Sequence, residues 1–221
     1  MKHYLLILGL IMPFWVQCQS AEKGKLFIDT GGGLGVYHGF SIFSPPENAG
    51  INAAAFSGNL RINYFVKPTI STGIEIRHLV YPSNESDTNR VIASASGTGI
   101  LLTAENVFFN RKKFHAFVGA GLGVYSFAYE RYERDSTQTI SENLGQIKAR
   151  GTSIYLGTGF RWCFSKHLGL NFRAGYSIYP LRVNEYRFNG NVQEEMDYRK
   201  STEVILNFRG VEGQLGLSVF F

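Results

Sequence analysis

Eight charged residues carry most of the chemical potential of this sequence: Asp29, Arg61, Glu75, Arg77, Glu105, Arg161, Arg173 and Glu212. Four are carboxylates and four are guanidiniums, so together they sum to zero. Arginine can hold a carboxylate through two parallel N–H···O bonds. Brought together away from water, such a set forms a salt-bridge network; kept wet, it forms an ion path or a proton relay. Other chemistry is thin. The sequence has no HExxH, CxxC, GxSxG, complete GxGxxG or P-loop motif, and no cofactor or metal-ligand spacing. The nearest to a nucleophile–base arrangement is His38 with Ser41 or Ser44.

Strands must position these charges. Alternation with period two, the mark of a half-buried strand, recurs over about 25–40, 51–66, 69–80, 93–109, 113–130, 151–164, 167–179 and 207–221. The connections alternate in length. "VKPT", "NRKK" and "SKH" are tight, whereas 41–50, 81–92, 131–150 and 180–206 are long. An even number of up-and-down strands therefore puts all tight turns and both chain ends on one side, and all long connections on the other. The stretch "LRVNEYRF" also alternates, so the seventh and eighth strands are expected to extend outward as a hairpin.

Each strand has one apolar parity. In the sixth, Ile154, Leu156, Thr158, Phe160, Trp162 and Phe164 face Ser153, Tyr155, Gly157, Gly159, Arg161 and Cys163. In the last, Leu215, Leu217, Val219 and Phe221 share one parity, and Phe220 falls on the other. A soluble barrel turns its apolar face inward, and a membrane barrel turns it out to lipid. The polar parity here is rich in Gly and Tyr and poor in Lys and Glu, unlike a wetted surface. Tyr64, Phe108, Phe114, Trp162, Phe164 and Phe221 gather on the apolar parity near the tight turns, as an interfacial girdle does. The eight charges then fall inside, in a belt in the half nearer the tight turns. An eight-stranded barrel is just wide enough for side chains to fill, which favours a structural belt over a wide pore. "GLGVY" occurs at 33–37 and again at 121–125, four strands apart; a half-barrel duplication and a shared way of lining a narrow interior explain it equally well.

The N-terminus reads as a secretory signal peptide, with Lys2, an apolar stretch over Tyr4–Val16, and a cut before Ala21. Its 13 apolar residues fall short of the roughly 20 a spanning helix needs. Residues 1–20 are thus assigned to the signal and 21–221 to a single barrel domain. Removing 1–20 takes away Lys2, so 22 Lys+Arg become 21 against 17 Asp+Glu. That modest, dispersed excess makes no nucleic-acid-binding cluster. Cys163 is left as a lone cysteine. Glycine (25 residues) and aromatics (18 Phe, 12 Tyr, 2 Trp) fit an all-β chain.

With its signal peptide, eight-strand pattern and final "GLSVFF", the chain resembles the small eight-stranded outer-membrane β-barrels of Gram-negative bacteria, the OmpA/OmpX/PorT-like superfamily. The resemblance implies an eight-stranded antiparallel up-and-down transmembrane barrel. It also implies that Leu215, Leu217, Val219 and Phe221 form the signal read by the barrel-assembly machinery. Some barrels of this size are lipid-A deacylases or acyltransferases. The deacylase arrangement places Ser two positions after His, and none of His38, His78, His115 or His167 has it. The sequence reading is therefore a non-enzymatic barrel of the cell envelope with a structural or adhesive role. A lipid-A-modifying enzyme and a secreted soluble barrel holding an apolar ligand are the alternatives. Arg182, Arg187, Arg199 and Lys200 are candidate contacts to phosphates of outer-membrane lipid or lipopolysaccharide. The long connections offer a surface to an extracellular or envelope protein.

Overall fold

The computed structural model describes residues 23–40, 50–82, 91–111, 113–134, 140–188, 191–192 and 205–221. They form β1 (Leu26–Phe40), β2 (Gly50–Lys67), β3 (Ile70–Tyr81), β4 (Val91–Arg111), β5 (Phe114–Arg134), β6 (Ile140–Cys163), β7 (Leu168–Phe188), the two-residue β8 (Asn191–Val192) and β9 (Ile205–Phe220). Consecutive strands from β1 to β7 pair antiparallel, and β9 pairs with β7 on one side and β1 on the other. The wall thus closes on eight strands. β8 only adds a rung to the outer end of β7, Arg187 opposite Val192. Closure leaves no sheet edge within the wall, which is what lets a sheet stand in hydrocarbon.

Burial alternates strictly. In β3, Ser71, Glu75, Arg77, Leu79 and Tyr81 are buried while Ile74, Ile76 and Val80 are exposed. The outer wall carries Leu34, Phe56, Leu102, Phe108, Val124, Leu156 and Leu215, each more than half exposed. A water-facing surface on that scale would be an aggregation site, so this wall needs lipid. Tight turns close one end. At the β6–β7 turn the Ser165 hydroxyl accepts hydrogen bonds from the amides of His167 (3.3 Å) and Leu168 (2.9 Å).

Strand lengths depart from the sequence expectation. β6 begins at Ile140 rather than near 151, β7 runs to Phe188 rather than 179, and β5 reaches Arg134 rather than 130. Much of two expected long connections is therefore strand. Among the described residues β4 to β7 run for 21, 21, 24 and 21 residues, against 15, 18, 12 and 16 for β1, β2, β3 and β9. The outward extension of β7 exists and pairs with β6 from Leu181 opposite Gly151 to Phe188 opposite Gly145. Among the described residues its pairing with β9 reaches Arg182 opposite Ile205, and β8 folds back on its tip as the expected hairpin does, while 193–204 lie outside the described residues. Cys163, expected as a lone thiol once 1–20 are removed, is buried at the tight-turn end. Residues 1–20 themselves lie outside the described residues.

Glycines make room for aromatic rings inside. Tyr125 of β5 lies flat over Gly97 and Gly99 of β4, and Tyr155 of β6 lies over Gly175 of β7. A Cβ on Gly175 would sit 2.6 Å from the Tyr155 hydroxyl oxygen, whereas one on Gly58, facing outward, would meet nothing within 4 Å. The repeated "GLGVY" places Tyr37 and Tyr125 inside on strands four apart around the wall, both against Tyr179. Overpacking a filled interior costs about 1–3 kcal/mol. Gly175→Ala should therefore lower unfolding stability in lipid by about that amount, and Gly58→Ala should lower it by nothing measurable. Equal urea midpoints for the two variants would contradict the ring-over-glycine packing.

Candidate functional site

The interior is layered. At the tight-turn end Phe27, Phe65, Val107, Phe117, Cys163 and Phe220 pack together, with the buried His115 ring edge-on to Phe220. At the other end Tyr37, Leu79, Tyr81, Tyr125, Phe127, Ile147, Tyr179, Leu181 and Leu206 form a larger apolar cluster. Between them lie all eight charges, each at most 5% exposed.

The charges divide into two neutral groups of four. In the first, nearer the tight turns, Arg161 of β6 reaches Asp29 of β1 at 2.7 Å and Glu105 of β4 at 2.8 Å. Arg61 of β2 reaches the same two carboxylates, Asp29 at 2.8 Å and Glu105 in a tight contact. The hydroxyl of Ser218 donates to Asp29 at 2.5 Å and that of Ser71 to Glu105 at 3.3 Å. The ring is closed: each guanidinium touches both carboxylates. The Arg161 guanidinium is also sandwiched between the rings of Phe27 (4.4 Å) and Phe117 (4.2 Å), contacts that favour a desolvated cation.

The second group is a chain. Arg173 of β7 holds Glu75 at 3.1 Å, Glu75 holds Arg77 at 2.6 Å, both on β3, and Arg77 closes tightly on Glu212 of β9. Glu212 also accepts from Tyr37 at 2.7 Å and Ser177 at 3.2 Å. Arg77 and Arg173 both lie over the Tyr155 ring, at 4.6 and 4.8 Å. Arg161 thus has Glu105 as a partner across the lumen, together with Asp29. Arg173 neutralises Glu75 rather than Glu212. The sequence reading had no means of finding the hydroxyls and rings that complete the network, because nothing in period-two patterning says which residues meet across a lumen.

The other sequence-derived sites are dispersed. Leu215, Leu217 and Phe221 are exposed on the lipid side, with Val219 half-buried on the same face, and Phe220 points inside at 2% exposed. His167 Nδ1 lies 3.0 Å from the Phe220 carbonyl oxygen. Arg182 and Arg187 are exposed on the outer extension of β7, and Arg187 pairs with Glu185 at 2.5 Å. Arg199, Lys200, Ser41 and Ser44 lie outside the described residues. Among the described residues, no group of three or more His, Cys, Asp or Glu is placed to hold a metal ion.

Because each group is neutral by itself, charge must be balanced locally. Removing one partner of a buried pair costs about 3–5 kcal/mol. Arg161→Met should be destabilising by that order, and adding Glu105→Gln should recover most of the loss, since Asp29 and Arg61 remain matched. Adding Glu75→Gln instead, which restores the belt's total charge but in the wrong group, should recover little. Unfolding in lipid vesicles measures this; equal rescue by the two second substitutions would show that only total charge matters.

The sequence matches no protein-family model and no curated protein. Solved structures match its fold. Neisserial surface protein A superposes with a TM-score of 0.53 at 12% identity, over 89% of this chain and 99% of that one. OprG from Pseudomonas aeruginosa gives 0.50 at 12%, over 92% and 99%. AlkL, solved in DMPC lipid bilayers, gives 0.50 at 14%, over 93% and 94%. At these identities the likeness is one of fold, and it joins the closed wall and apolar exterior already described: the chain is an eight-stranded antiparallel transmembrane β-barrel of the outer-membrane type.

Proposed function

We propose that this outer-membrane barrel is a non-enzymatic envelope protein with a structural or adhesive role, its interior closed to ions. The observation that carries this reading is the pair of charge-neutral groups lying between two apolar layers. A permeation path needs charged groups that water and ions can reach, and these guanidiniums and carboxylates are spent on one another. With the lumen occupied, interaction falls to the outside. The apolar wall contacts membrane lipid. The lipid-facing side of β9, with Leu215, Leu217, Val219 and Phe221, is the part offered to the barrel-assembly machinery. The β4–β7 side and the long connections face lipopolysaccharide and any extracellular or envelope protein partner. The exposed wall weighs against a soluble ligand-binding barrel.

In planar bilayers the protein should give negligible conductance, and its gel mobility should differ between boiled and unboiled samples. A discrete, ion-selective conductance that changes in Arg161→Ala without loss of thermal stability would reject the closed interior. The two terminal phenylalanines should separate by readout. Phe221→Ser should slow insertion into vesicles while leaving the folded barrel about as stable. Phe220→Ser should cost stability, as truncating a buried Phe does by about 3–5 kcal/mol, with a smaller effect on insertion rate. Equal slowing of insertion by both would count against recognition of the lipid-facing side.

A further inference from the structure

The tight-turn end of the barrel is basic. Its turns and the start of β1 carry Lys23, Lys25, Lys67, Arg111, Lys112, Lys113 and Lys166. Against these stand Glu22 and a carboxylate at Phe221. The other acids in the half of the wall nearer the tight turns are Asp29, Glu75, Glu105 and Glu212. All four are buried in the belt and bonded to arginine. Every remaining acid of the chain's 17 falls in the upper wall or the long connections at the opposite end. The excess of positive charge at this rim is therefore a property of the sequence itself.

Part of this rim is fixed in place beside an apolar groove. Gly24 takes a φ of 88°, which glycine adopts without steric cost. Its amide donates to the Phe65 carbonyl at 2.9 Å, and the Phe65 amide donates to the Lys25 carbonyl at 2.9 Å. Those bonds set Lys23 and Lys25 alongside the end of β2, where Lys67 is exposed. Just above, on the lipid side of β2 and β3, lies a groove of about 320 Å³ lined in part by Leu26, Ile62, Tyr64, Thr72 and Ile74. Thr72, directly opposite Tyr64 in the ladder, is the smallest of these side chains. The Tyr64 hydroxyl oxygen is 3.9 Å from where a Cβ on Gly24 would stand, so this one side chain runs from the groove to the lysine segment. Lys67 follows three residues after Tyr64, roughly 10 Å along the strand.

We propose that this groove and the lysines at its foot seat an anionic glycerophospholipid of the leaflet at the tight-turn end. One acyl chain lies in the groove, and the phosphodiester headgroup meets Lys23, Lys25 and Lys67. The site asks for both parts of such a molecule. A groove that opens to hydrocarbon takes a chain, and cations at headgroup level draw an anion to the membrane surface. A zwitterionic lipid would fill the groove but bring an ammonium against the lysines. An acidic protein would answer the lysines but has no chain to lay inside the hydrocarbon. The proposal rests on the lipid-embedded reading of the barrel.

The test uses the protein folded into bilayer discs made of equal parts phosphatidylglycerol and phosphatidylcholine with identical acyl chains. Lipid kept by the protein on release is counted by native mass spectrometry. Phosphatidylglycerol should be retained about fivefold over phosphatidylcholine, the difference one lysine makes at an anionic membrane surface. Lys67→Gln should reduce that preference and Lys23→Gln/Lys25→Gln/Lys67→Gln should abolish it, while Arg150→Gln at the opposite end should keep it. Thr72→Phe, which fills the groove and leaves every charge in place, should reduce it too. Equal retention of the two lipids by the unaltered protein overturns the seat whether or not any variant folds. An unchanged preference in the folded triple variant does so as well. A preference untouched by Thr72→Phe would mean a basic rim open to any acidic partner, and displacement by millimolar inorganic phosphate would mean a free-phosphate site; either rejects the seat. Failure to enter the discs, read separately by heat-modifiable migration, would reject the barrel reading as well; entry with equal retention rejects the seat alone.

Discussion

A guanidinium enclosed by eight strands has to find its counter-charge inside the ring. Withdrawing an ion from water costs several kcal/mol even after relaxation, and four guanidiniums and four carboxylates are withdrawn here. The planar fork of arginine offers five N–H donors, enough to bridge two carboxylates at once, and each guanidinium of the first group does so. The bridges span the lumen. Arg161 on β6 ties Asp29 on β1 to Glu105 on β4, and Arg173 on β7 holds Glu75 on β3. Ion pairs therefore brace opposite walls, a job that in a soluble barrel falls to aliphatic side chains. The apolar layers above and below keep bulk water from screening the pairs. The same exclusion makes any single missing charge expensive, so the network is stable only when complete within each group of four.

The surrounding solvent imposes a second constraint, and it changes partway up the wall. Near the tight turns lipid lies outside, so β6 turns Trp162, Phe160 and Leu156 outward and Arg161 and Ser153 inward. Further along the same strand Lys148 and Arg150 point out while Ile147 and Ala149 point in. β7 behaves alike, with Phe172 and Tyr176 out and Arg173 in, then Arg182 out and Leu181 in. The alternation carries on past the apolar band, as far as the register shift that sets Ala149 opposite Val183 and Lys148 opposite Glu185; its polarity inverts as the wall leaves hydrocarbon for water. A strand crossing that boundary keeps its geometry while its pattern reads backwards.

That inversion explains what was legible in the sequence and what was not. Closure, strand number, the inward parity of the eight charges and the opposite faces of Phe220 and Phe221 all follow from period two alone. The first part of β6, from Ile140 to Arg150, falls in an expected long connection because a lipid-facing strand shows an apolar outward parity, whereas here Ile147 and Ala149 point in and Lys148 and Arg150 point out. Partner choice inside was beyond reach for a different reason. Residues that meet across a lumen are set by strand register and stagger, which put Glu75 rather than Glu212 beside Arg173. Ser218, Ser71 and Tyr37, whose hydroxyls complete the carboxylate shells, look like ordinary barrel-lining residues in sequence. Gly97, Gly99 and Gly175, which make room for Tyr125 and Tyr155, show in the sequence only as part of a glycine-rich polar parity.

A cross-braced interior also limits where function can reside. Opening the lumen would mean parting several ion pairs at once in a medium where each is strong, with aromatic layers to be displaced at both ends. Motions of that size are disfavoured in a wall already closed by hydrogen bonds between all neighbouring strands. The outer rim is under no such restraint. There the interior of β5, β6 and β7 turns apolar, and outward positions of β6 and β7 carry charge. Lys148, Arg150, Arg182 and Arg187 occupy those positions, with Glu185 bonded to Lys148 and Arg187. Charge that the buried belt cannot hold unpaired, because each of its groups must sum to zero, is thus placed on the outside of the wall.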